Sequence, residues 1–218
     1  MNEFFSGALS GSLGTIISHP LDTLKTWKQT NYKITNIQAK DVFRGWKFPV
    51  YNSLIINSIM FGGNNKIKEE VGNEFISGAI TGSFIGVITN PLDLYKIKLQ
   101  NKNNISNVNP FKGLPLTMKR EIIGCSIYFG SYNYFKENKI PIFVSGGLSG
   151  WLGWLSTYPI DVVKTRVQAN NISYISAIKL GNFWSGFMYC SIRAILNNGI
   201  IFSSYEFFTN NTICKSDI

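Results

Sequence analysis

Residues 159–168 read Pro159-Ile160-Asp161-Val162-Val163-Lys164-Thr165-Arg166-Val167-Gln168, which is the pattern P-x-D-x-x-K-x-R-x-Q. Similar stretches occupy residues 20–29 and 91–100. A run of small residues precedes each stretch, with a glycine thirteen residues before its proline, at Gly7, Gly78 and Gly146. Because two independent motifs recur at one fixed offset, the chain is a threefold internal repeat with a period of about 70 residues.

Each repeat contains two long stretches without Asp, Glu, Lys or Arg. They lie at residues 4–21, 48–65, 75–92, 122–135, 140–160 and 194–205. A helix needs about 20 mostly apolar residues to cross a bilayer. The sequence therefore predicts an all-α membrane protein with six transmembrane helices in a single domain, residues 1–218. The repeats are residues 1–71, 72–139 and 140–218, and the helices are expected at 3–28, 43–68, 73–100, 114–136, 141–168 and 186–209.

The apolar stretches also contain Ser, Thr, Asn and Gly at positions that a soluble core fills with Leu or Ile. A soluble all-α protein with buried helices is the alternative, and this composition disfavours it. Helices that line a water-filled cavity keep polar faces inside a membrane. The sequence thus predicts a transporter or pore around a central cavity.

The net charge of +9 is unevenly distributed. The connections at residues 22–47 and 93–120 are basic, whereas the alternate connections are balanced or acidic. By the positive-inside rule, the basic connections lie together on one side of the membrane and both termini on the other. Nucleic-acid binding is an alternative use of this charge, but no soluble basic domain carries it, so no nucleic-acid partner is expected.

No constellation for catalysis or metal binding is visible in the sequence. Cys125, Cys190 and Cys214 are isolated, which predicts neither a disulfide framework nor a metal site. His19 has no neighbour suited to chemistry and is interpreted as a helix-packing residue. Without a nucleophile–base pair, we expect no enzyme activity and no cofactor. We also expect no cleavable targeting segment, since the first apolar stretch already belongs to the first repeat.

The repeated motif resembles the signature of the mitochondrial carrier family, P-x-[DE]-x-x-[KR]-x-[KR]-x-Q, and the resemblance covers nearly the whole chain. It implies a monomeric, multi-pass protein of the mitochondrial inner membrane that exchanges small solutes by alternating access. Both termini would face the intermembrane space and the basic connections the matrix. It also implies that Pro20, Pro91 and Pro159 kink their helices.

The resemblance further implies a matrix gate, in which the Asp of one odd-numbered helix pairs with the Lys of the next. Carried over by position, the pairs are Asp22 with Lys96, Asp93 with Lys164 and Asp161 with Lys25. Such a pair has about 4 kcal/mol of Coulomb attraction at an effective dielectric constant near 20. Gln29, Gln100 and Gln168 match the glutamine braces beneath the gate. Trp27 replaces the second basic residue of the motif in the first repeat.

The outer gate of the family, [FY]-[DE]-x-x-[KR] on the even-numbered helices, is depleted in this chain. By the family's pairing order, Glu206 with Lys68 is the ion pair that survives. We therefore predict that the state open to the intermembrane space predominates at rest.

Lipid sites are implied where an aromatic–basic–Gly triplet begins an even-numbered helix. Free backbone N–H groups, the helix dipole and a cation together favour a phosphate. The triplets with a cation include Arg44-Gly45 and Lys112-Gly113, whereas Gly186 follows a serine. The resemblance implies cardiolipin as the lipid partner.

Charged residues inside a membrane span are functional candidates. Arg120, Glu121 and Arg193 are expected to bind substrate, with hydrogen bonds from Asn52, Ser53 and Asn57. Trp151 and Trp154 offer either cation–π contacts or lipid-facing packing. An alternative for Arg120 is that it belongs to the basic inner face beside Lys119.

The local sequence around Arg120-Glu121, Asn57-Ser58 and Arg193-Ala194 resembles the carnitine and basic amino-acid branch of the family. An adjacent Arg and Glu suit a zwitterion, so the expected substrate is a zwitterionic or cationic amino acid or a carnitine-like molecule. The alternatives are a nucleotide exchanger of the same fold, a proton-leak or uncoupling carrier, and a receptor on a degenerate carrier fold.

Overall fold

The computed structural model describes residues 2–32, 38–58, 64–103, 108–194, 196–197 and 200. These residues form helices and turns, with no strand among them. The helices are α1 (Asn2–Thr30), α2 (Ala39–Val42), α3 (Lys47–Ser58), α4 (Asn64–Val71), α5 (Glu74–Gln100), α6 (Leu114–Glu137), α7 (Ile142–Asn170) and α8 (Tyr174–Lys179). Residues 187–194 are helical as well. The all-α prediction is therefore confirmed for the described chain.

The three helices that carry the repeated motif, here called the motif helices, are α1, α5 and α7. Their bounds lie within a few residues of the predicted ones. Each continues through its internal proline, at Pro20, Pro91 and Pro159. A proline removes one helical hydrogen bond, so the kink expected at each position stays a prediction.

One even-numbered helix begins several residues later than the sequence suggested, whereas α6 begins at Leu114 as expected. The second predicted helix begins at Lys47, because residues 43–46 form a turn in which Gly45 has φ +80°. That backbone conformation is left-handed and suits glycine rather than a helix. The same helix is described as α3 and α4, and residues 59–63 between them lie outside the described residues. Most of the sixth predicted helix beyond residue 194 lies outside them too.

Within the described residues, α5 is the helix that is both long and apolar enough to cross a membrane by length and composition. The other motif helices are also long, at 29 residues each. Their interiors contain buried polar side chains, among them Ser18, Asp22, Ser149 and Asp161. These residues lower the mean hydropathy of α1 and α7.

Helix packing brings the motif helices together. Helix α5 packs along α6 and α6 along α7, while α1 contacts both α5 and α7. The α5–α6 contact is close because glycines of α5 face the backbone of α6. A Cβ atom on Gly82 would lie 2.4 Å from the Glu121 carbonyl oxygen, and one on Gly78 would lie 2.7 Å from that of Cys125. Small residues of this kind let helix backbones approach closely.

Candidate functional site

Three ion pairs join the motif helices near their C-terminal ends. Lys25 Nζ lies 2.7 Å from Asp161 Oδ2. Lys96 pairs with Asp22, and Lys164 pairs with Asp93. These are the three pairs expected from the sequence, and they run α1 to α5, α5 to α7 and α7 to α1. The six residues are called the ion-pair ring below.

The ring forms because each motif places an Asp and a Lys three residues apart, on one helix face. Where the three helices meet, the Asp of each helix pairs with the Lys of a neighbouring helix. The side chains of Lys164 and Lys25 are only 1% and 7% exposed. Buried charges require partners, so the ring ties the three helix ends together.

The glutamines form a second layer, but not a symmetric one. Gln29 Nε2 donates to Asp161 Oδ2 at 3.0 Å and to Tyr158 Oη at 3.2 Å. Gln100 Nε2 lies 3.1 Å from Thr23 Oγ1 and 3.5 Å from Asp22 Oδ2.

Gln168 departs from this arrangement. Its Nε2 donates to Asn90 Oδ1 at 3.0 Å and to the Lys112 carbonyl at 3.1 Å. The amide of Asn90 offers an acceptor close to Gln168, and the described contacts of Gln168 do not include Asp93. Two of the three expected braces therefore contact the ring, while Gln168 holds the turn before α6.

A third layer consists of side chains that donate to backbone carbonyls near the ends of the motif helices. The donors occupy the second basic position of each motif. Trp27 Nε1 donates to the Gln100 carbonyl at 2.7 Å, Lys98 Nζ to Ala169 at 3.3 Å and Arg166 Nε to Gln29 at 2.9 Å. The last carbonyls of a helix have no partner inside it. Sequence reasoning missed this layer.

Arg120 lies against the ion-pair ring. Its Nη1 donates to Asp161 Oδ1 at 3.0 Å, and its Nη2 lies 3.5 Å from Asp93 Oδ2 and pairs with Glu121. Its side chain is 14% exposed, whereas Lys119 is exposed. Arg120 is therefore not part of the basic inner face beside Lys119.

Three other expected substrate residues, Arg193, Asn52 and Ser53, line the same cavity as Arg120. Arg193 Nε is 3.7 Å from Asp22 Oδ1. Asn52 Nδ2 donates to Asp93 Oδ1 at 3.2 Å, whereas Ser53 Oγ donates to the Val50 carbonyl of its own helix at 2.9 Å. The side chain of Asn57 lies outside the described residues.

Three adjoining cavities surround these residues. One of about 240 Å³ is lined by the ion-pair ring together with Arg120, Arg193, Asn52, Ser53 and Trp154. A second of about 290 Å³ is lined by Glu121, Tyr128 and Trp154, among others. A third of about 480 Å³ lies between α7 and the helical residues 187–194, beside Arg193 and Trp154. Trp154 lines all three.

Trp154 faces three cations. Lys25 Nζ lies 4.6 Å from a ring centroid of Trp154, and the guanidinium carbons of Arg120 and Arg193 lie 5.7 and 5.8 Å away. These distances fit cation–π contact. Trp151 is 44% exposed. Of the two alternatives for the tryptophans, cation–π contact applies to Trp154, which lies among the cations. Trp151 instead lies at the surface of α7.

Comparison with known proteins bears on this geometry. A family model described as "Mitochondrial carrier protein" matches residues 139–216. A mitochondrial substrate carrier family protein of Dictyostelium discoideum is 26% identical, with 94% of each chain covered. A mitochondrial arginine transporter of Arabidopsis thaliana is 26% identical over 94% of this chain and 89% of its own. A mitochondrial basic amino acids transporter of Bos taurus is 27% identical over 78% of this chain and 74% of its own.

This chain is similar to mitochondrial carriers over most of its length. The resemblance recognised in the motif is confirmed by sequence similarity over most of the chain. Mitochondrial carriers are transporters rather than enzymes. The findings support a mitochondrial solute transporter of this kind and leave its substrate open.

The three turns at which lipid sites were expected share one backbone geometry. Gly45, Gly113 and Gly186 have φ of +80°, +81° and +84°. The residue before each motif proline anchors the carbonyl just before the glycine. His19 Nε2 lies 3.1 Å from the Arg44 oxygen, Asn90 Nδ2 3.5 Å from that of Lys112, and Tyr158 Oη 3.0 Å from that of Ser185. His19 therefore has a structural contact, as its interpretation as a packing residue required.

In the last turn of α4, Lys68 pairs with Glu74 at the start of α5. Glu206, its expected partner, lies outside the described residues. The pair of Lys68 with Glu74 joins the end of α4 to the next helix.

Proposed function

We propose that this protein exchanges a cationic or zwitterionic amino acid, or a carnitine-like molecule, across the mitochondrial inner membrane by alternating access. The observation that carries the proposal is the arrangement around Trp154. Glu121 and Arg193 line different cavities, and the indole ring of Trp154 lines both of these cavities. A zwitterion needs a receptor for each charge, and an aromatic face adds attraction for a cation.

Relatives support the substrate class. Two of them are named as transporters of arginine and of basic amino acids. A basic amino acid carries both an ammonium and a carboxylate, which suits the residue set Arg120, Glu121 and Arg193. Hydrogen bonds from Asn52, Ser53 and Asn57 complete the proposed site.

The nucleotide alternative is less well supported by the charges of the cavity. Each ring lysine is paired with an aspartate. Several phosphate groups would need several unpaired cations, and Arg120 is also engaged by carboxylates. A proton-leak carrier would need carboxylates in the cavity beyond the ring, and Glu121 is the one among the described lining residues.

We propose that the ion-pair ring is the matrix gate and that the structure represents its closed form. The proposed architecture is a monomer of six transmembrane helices in three repeats around the cavity. The ring and its glutamine braces lie near the end of the molecule where the basic connections begin, which supports a matrix-facing gate. Both termini then face the intermembrane space. Lys68 with Glu206 remains the proposed ion pair of the outer gate.

We propose cardiolipin binding at the turns before the even-numbered helices. The three turns have matching positive φ values at Gly45, Gly113 and Gly186. Arg44 and Lys112 add a cation at two of them, and a phosphate at a helix N-terminus accepts hydrogen bonds from free N–H groups. At the third turn, Ser185 Oγ instead donates to the Lys28 carbonyl at 2.8 Å.

The unfolding temperature of the purified protein tests the substrate class. A ligand that binds the folded state raises this temperature. We expect arginine or carnitine to raise it in wild type and ADP to leave it unchanged. The rise should disappear in Glu121→Gln and persist in Lys119→Gln, the matched control on the exposed face of α6. A rise with ADP alone would favour the nucleotide exchanger.

A further inference from the structure

The three motif helices are also joined just beyond the ion-pair ring, by uncharged side chains that follow the motif glutamines. Thr30 Oγ1 donates to Asn101 Oδ1 at 2.8 Å and joins α1 to α5. Asn103 Nδ2 donates to the Ala169 carbonyl at 2.7 Å and joins α5 to α7. Asn170 Nδ2 donates to the Thr30 carbonyl at 3.4 Å and joins α7 to α1. The three contacts therefore form a closed circle around the helix ends.

The positions of these residues at helix ends favour contacts between helices. Thr30 and Asn170 are the last residues of α1 and α7, and Asn101 caps the end of α5. Asn101 Nδ2 donates to the Ile97 carbonyl at 2.9 Å, so its Oδ1 points the other way, toward Thr30. The last carbonyls of a helix have no partner inside it. The carbonyls of Thr30 and Ala169 are therefore available to side chains of the neighbouring helices.

The three contacts differ in burial. Thr30, Asn101 and Ala169 are 6%, 4% and 1% exposed, whereas Asn103 is half-buried and Asn170 is exposed. A buried polar group without a partner is unfavourable. If the helix ends separated, the buried groups would lose their partners until water reached them. The contact between Thr30 and Asn101, in which both partners are buried, should therefore contribute most to holding the ends together.

The contact between α5 and α7 lies where the ring lacks a glutamine brace. Gln168 donates to Asn90, and its described contacts do not include the aspartate of the α5–α7 ion pair. Asn103 instead joins the two helices through the Ala169 carbonyl, which also accepts from Lys98 at 3.3 Å. The uncharged contacts thus reinforce the junction that the braces leave out.

We propose that Thr30, Asn101, Asn103 and Asn170 form an uncharged latch that closes the matrix side of the cavity in addition to the ion-pair ring. This inference rests on the proposed function, in which the ring is the matrix gate. The latch residues follow the motif glutamines and lie outside the repeated motif, so they can be replaced without altering the ring. Opening toward the matrix then requires three neutral hydrogen bonds to break as well as three ion pairs.

Cysteine labelling from the matrix face tests the latch without any substrate. Thr15 lines the cavity that adjoins the ring, and Thr15→Cys is made in the full chain with its native cysteines replaced by serine. Asn101→Ala should raise the rate at which an impermeant maleimide labels this cysteine from the matrix face. We expect an increase of about threefold or more, because the closed state loses one hydrogen bond between its helices. Asn138→Ala should leave the rate unchanged.

Asn138 is the matched control because it has the same local contact as Asn101. It caps the end of α6, and its Nδ2 donates to the carbonyl four residues earlier, that of Tyr134, at 2.8 Å. It is exposed, and its described hydrogen bonds stay within its own helix end. Equal increases in Asn101→Ala and Asn138→Ala would contradict the latch.

Thr30→Val removes the same contact from the other helix. Valine is similar in shape to threonine and lacks the hydroxyl donor, so labelling from the matrix face should rise to a similar degree. Residues that act through one contact are not additive, and the double variant Thr30→Val/Asn101→Ala should label little faster than either single variant. Increases that multiply in the double variant would overturn the inference. Thr30→Val alone decides the matter if Asn101→Ala does not fold.

The same labelling separates failure of the latch from failure of the proposed gate. If Thr15→Cys is protected from the matrix face and stays protected in both Asn101→Ala and Thr30→Val, the latch is wrong and the closed matrix gate stands. If Thr15→Cys without further changes is labelled equally from both faces, the closed matrix gate is wrong and the latch fails with it.

Discussion

The indole Nε1 of Trp27 donates a 2.7 Å hydrogen bond to the backbone carbonyl of Gln100, the last residue of α5. The other repeats use a cation at this position, Lys98 toward Ala169 and Arg166 toward Gln29. Tryptophan therefore keeps the hydrogen bond of the motif and removes its charge. The layer beneath the ion-pair ring is intact in all three repeats, although one of its donors is neutral.

Replacing Trp27 with Phe should destabilise the protein. Trp27 is 2% exposed, and its ring stacks on Tyr32 at a centroid distance of 5.6 Å. Phe keeps a ring but leaves the Gln100 carbonyl without this donor, which costs about 1–3 kcal/mol when the group is buried. The measurement is the unfolding temperature. Trp46→Phe is the control because Trp46 is 38% exposed. Equal shifts for the two variants would contradict the assignment.

The contact between α5 and α6 should not tolerate a methyl group at Gly82. A Cβ there would lie 2.4 Å from the Glu121 carbonyl oxygen, which belongs to backbone and cannot rotate away. We expect Gly82→Ala to lower the unfolding temperature and to cost about 1–3 kcal/mol or more through overpacking. It should also displace Glu121 and reduce exchange.

Gly147→Ala is the matched control for Gly82→Ala. Gly147 is an exposed glycine inside α7, and no described atom lies within 4 Å of a Cβ added there. Alanine has a better helix propensity than glycine by about 1 kcal/mol. Gly147→Ala should therefore leave stability unchanged or raise it. Comparable losses in the two variants would show that helix contact is not the cause.

The link between α2 and the end of α5 should depend on pH. Lys102 Nζ lies 2.8 Å from Asp41 Oδ2, and its hydrogen bond holds the pKa of the Asp41 carboxyl below its usual value. A lowered carboxyl pKa contributes stability above the unfolded value, about pH 4. This contribution is lost as pH falls through the lower folded pKa.

The comparison of wild type with Asp41→Asn measures this effect. The difference in unfolding temperature should be constant near neutral pH and should shrink below about pH 4. Lys102→Gln should show the same profile, because it removes the other partner. A difference that stays unchanged into strong acid would contradict the ion pair as its cause.

The proposed resting state can be measured by cysteine labelling. Thr15 lines the cavity that adjoins the ion-pair ring, and in the proposed orientation it lies on the intermembrane-space side of the ring. With the ring closed, Thr15→Cys, in a background with the three native cysteines replaced by serine, should react with an impermeant maleimide mainly from the intermembrane-space face. Inside-out and right-side-out vesicles provide the two faces. Equal rates from both would contradict a closed matrix gate at rest.

The sequence predicted the ion-pair ring well, because its pairs follow from a local pattern repeated three times. Three copies of an Asp and a Lys on one helix face favoured a ring, and the resemblance to the mitochondrial carriers supplied the order in which the residues pair. The helix bounds of α5, α6 and α7 followed equally well from the apolar stretches and their flanking motifs. Gly45 and Gly186 shift the start of their helices because their positive φ is a property of the turn.

The contacts of Arg120, Gln168 and Trp27 were not predictable in the same way. Each depends on which side chain lies opposite on another helix, and that is determined by packing. The residue before the motif proline differs in each repeat, being His19, Asn90 and Tyr158. Gln168 donates a hydrogen bond to Asn90 because this repeat has an amide at that position. Repeat symmetry alone would have assigned Gln168 to Asp93. The sequence singled out Arg120 as a candidate substrate residue but gave no sign of its contact with Asp93 and Asp161.

Uptake of labelled arginine into liposomes tests the central claim most directly, namely that this chain is a solute exchanger with Glu121 in its substrate site. The liposomes contain the purified protein and are loaded with arginine, with carnitine or with ADP. We predict uptake into arginine- or carnitine-loaded liposomes by wild type and by Lys119→Gln, and background uptake by Glu121→Gln. Uptake of labelled ADP alone, or arginine uptake unaffected by Glu121→Gln, would contradict it.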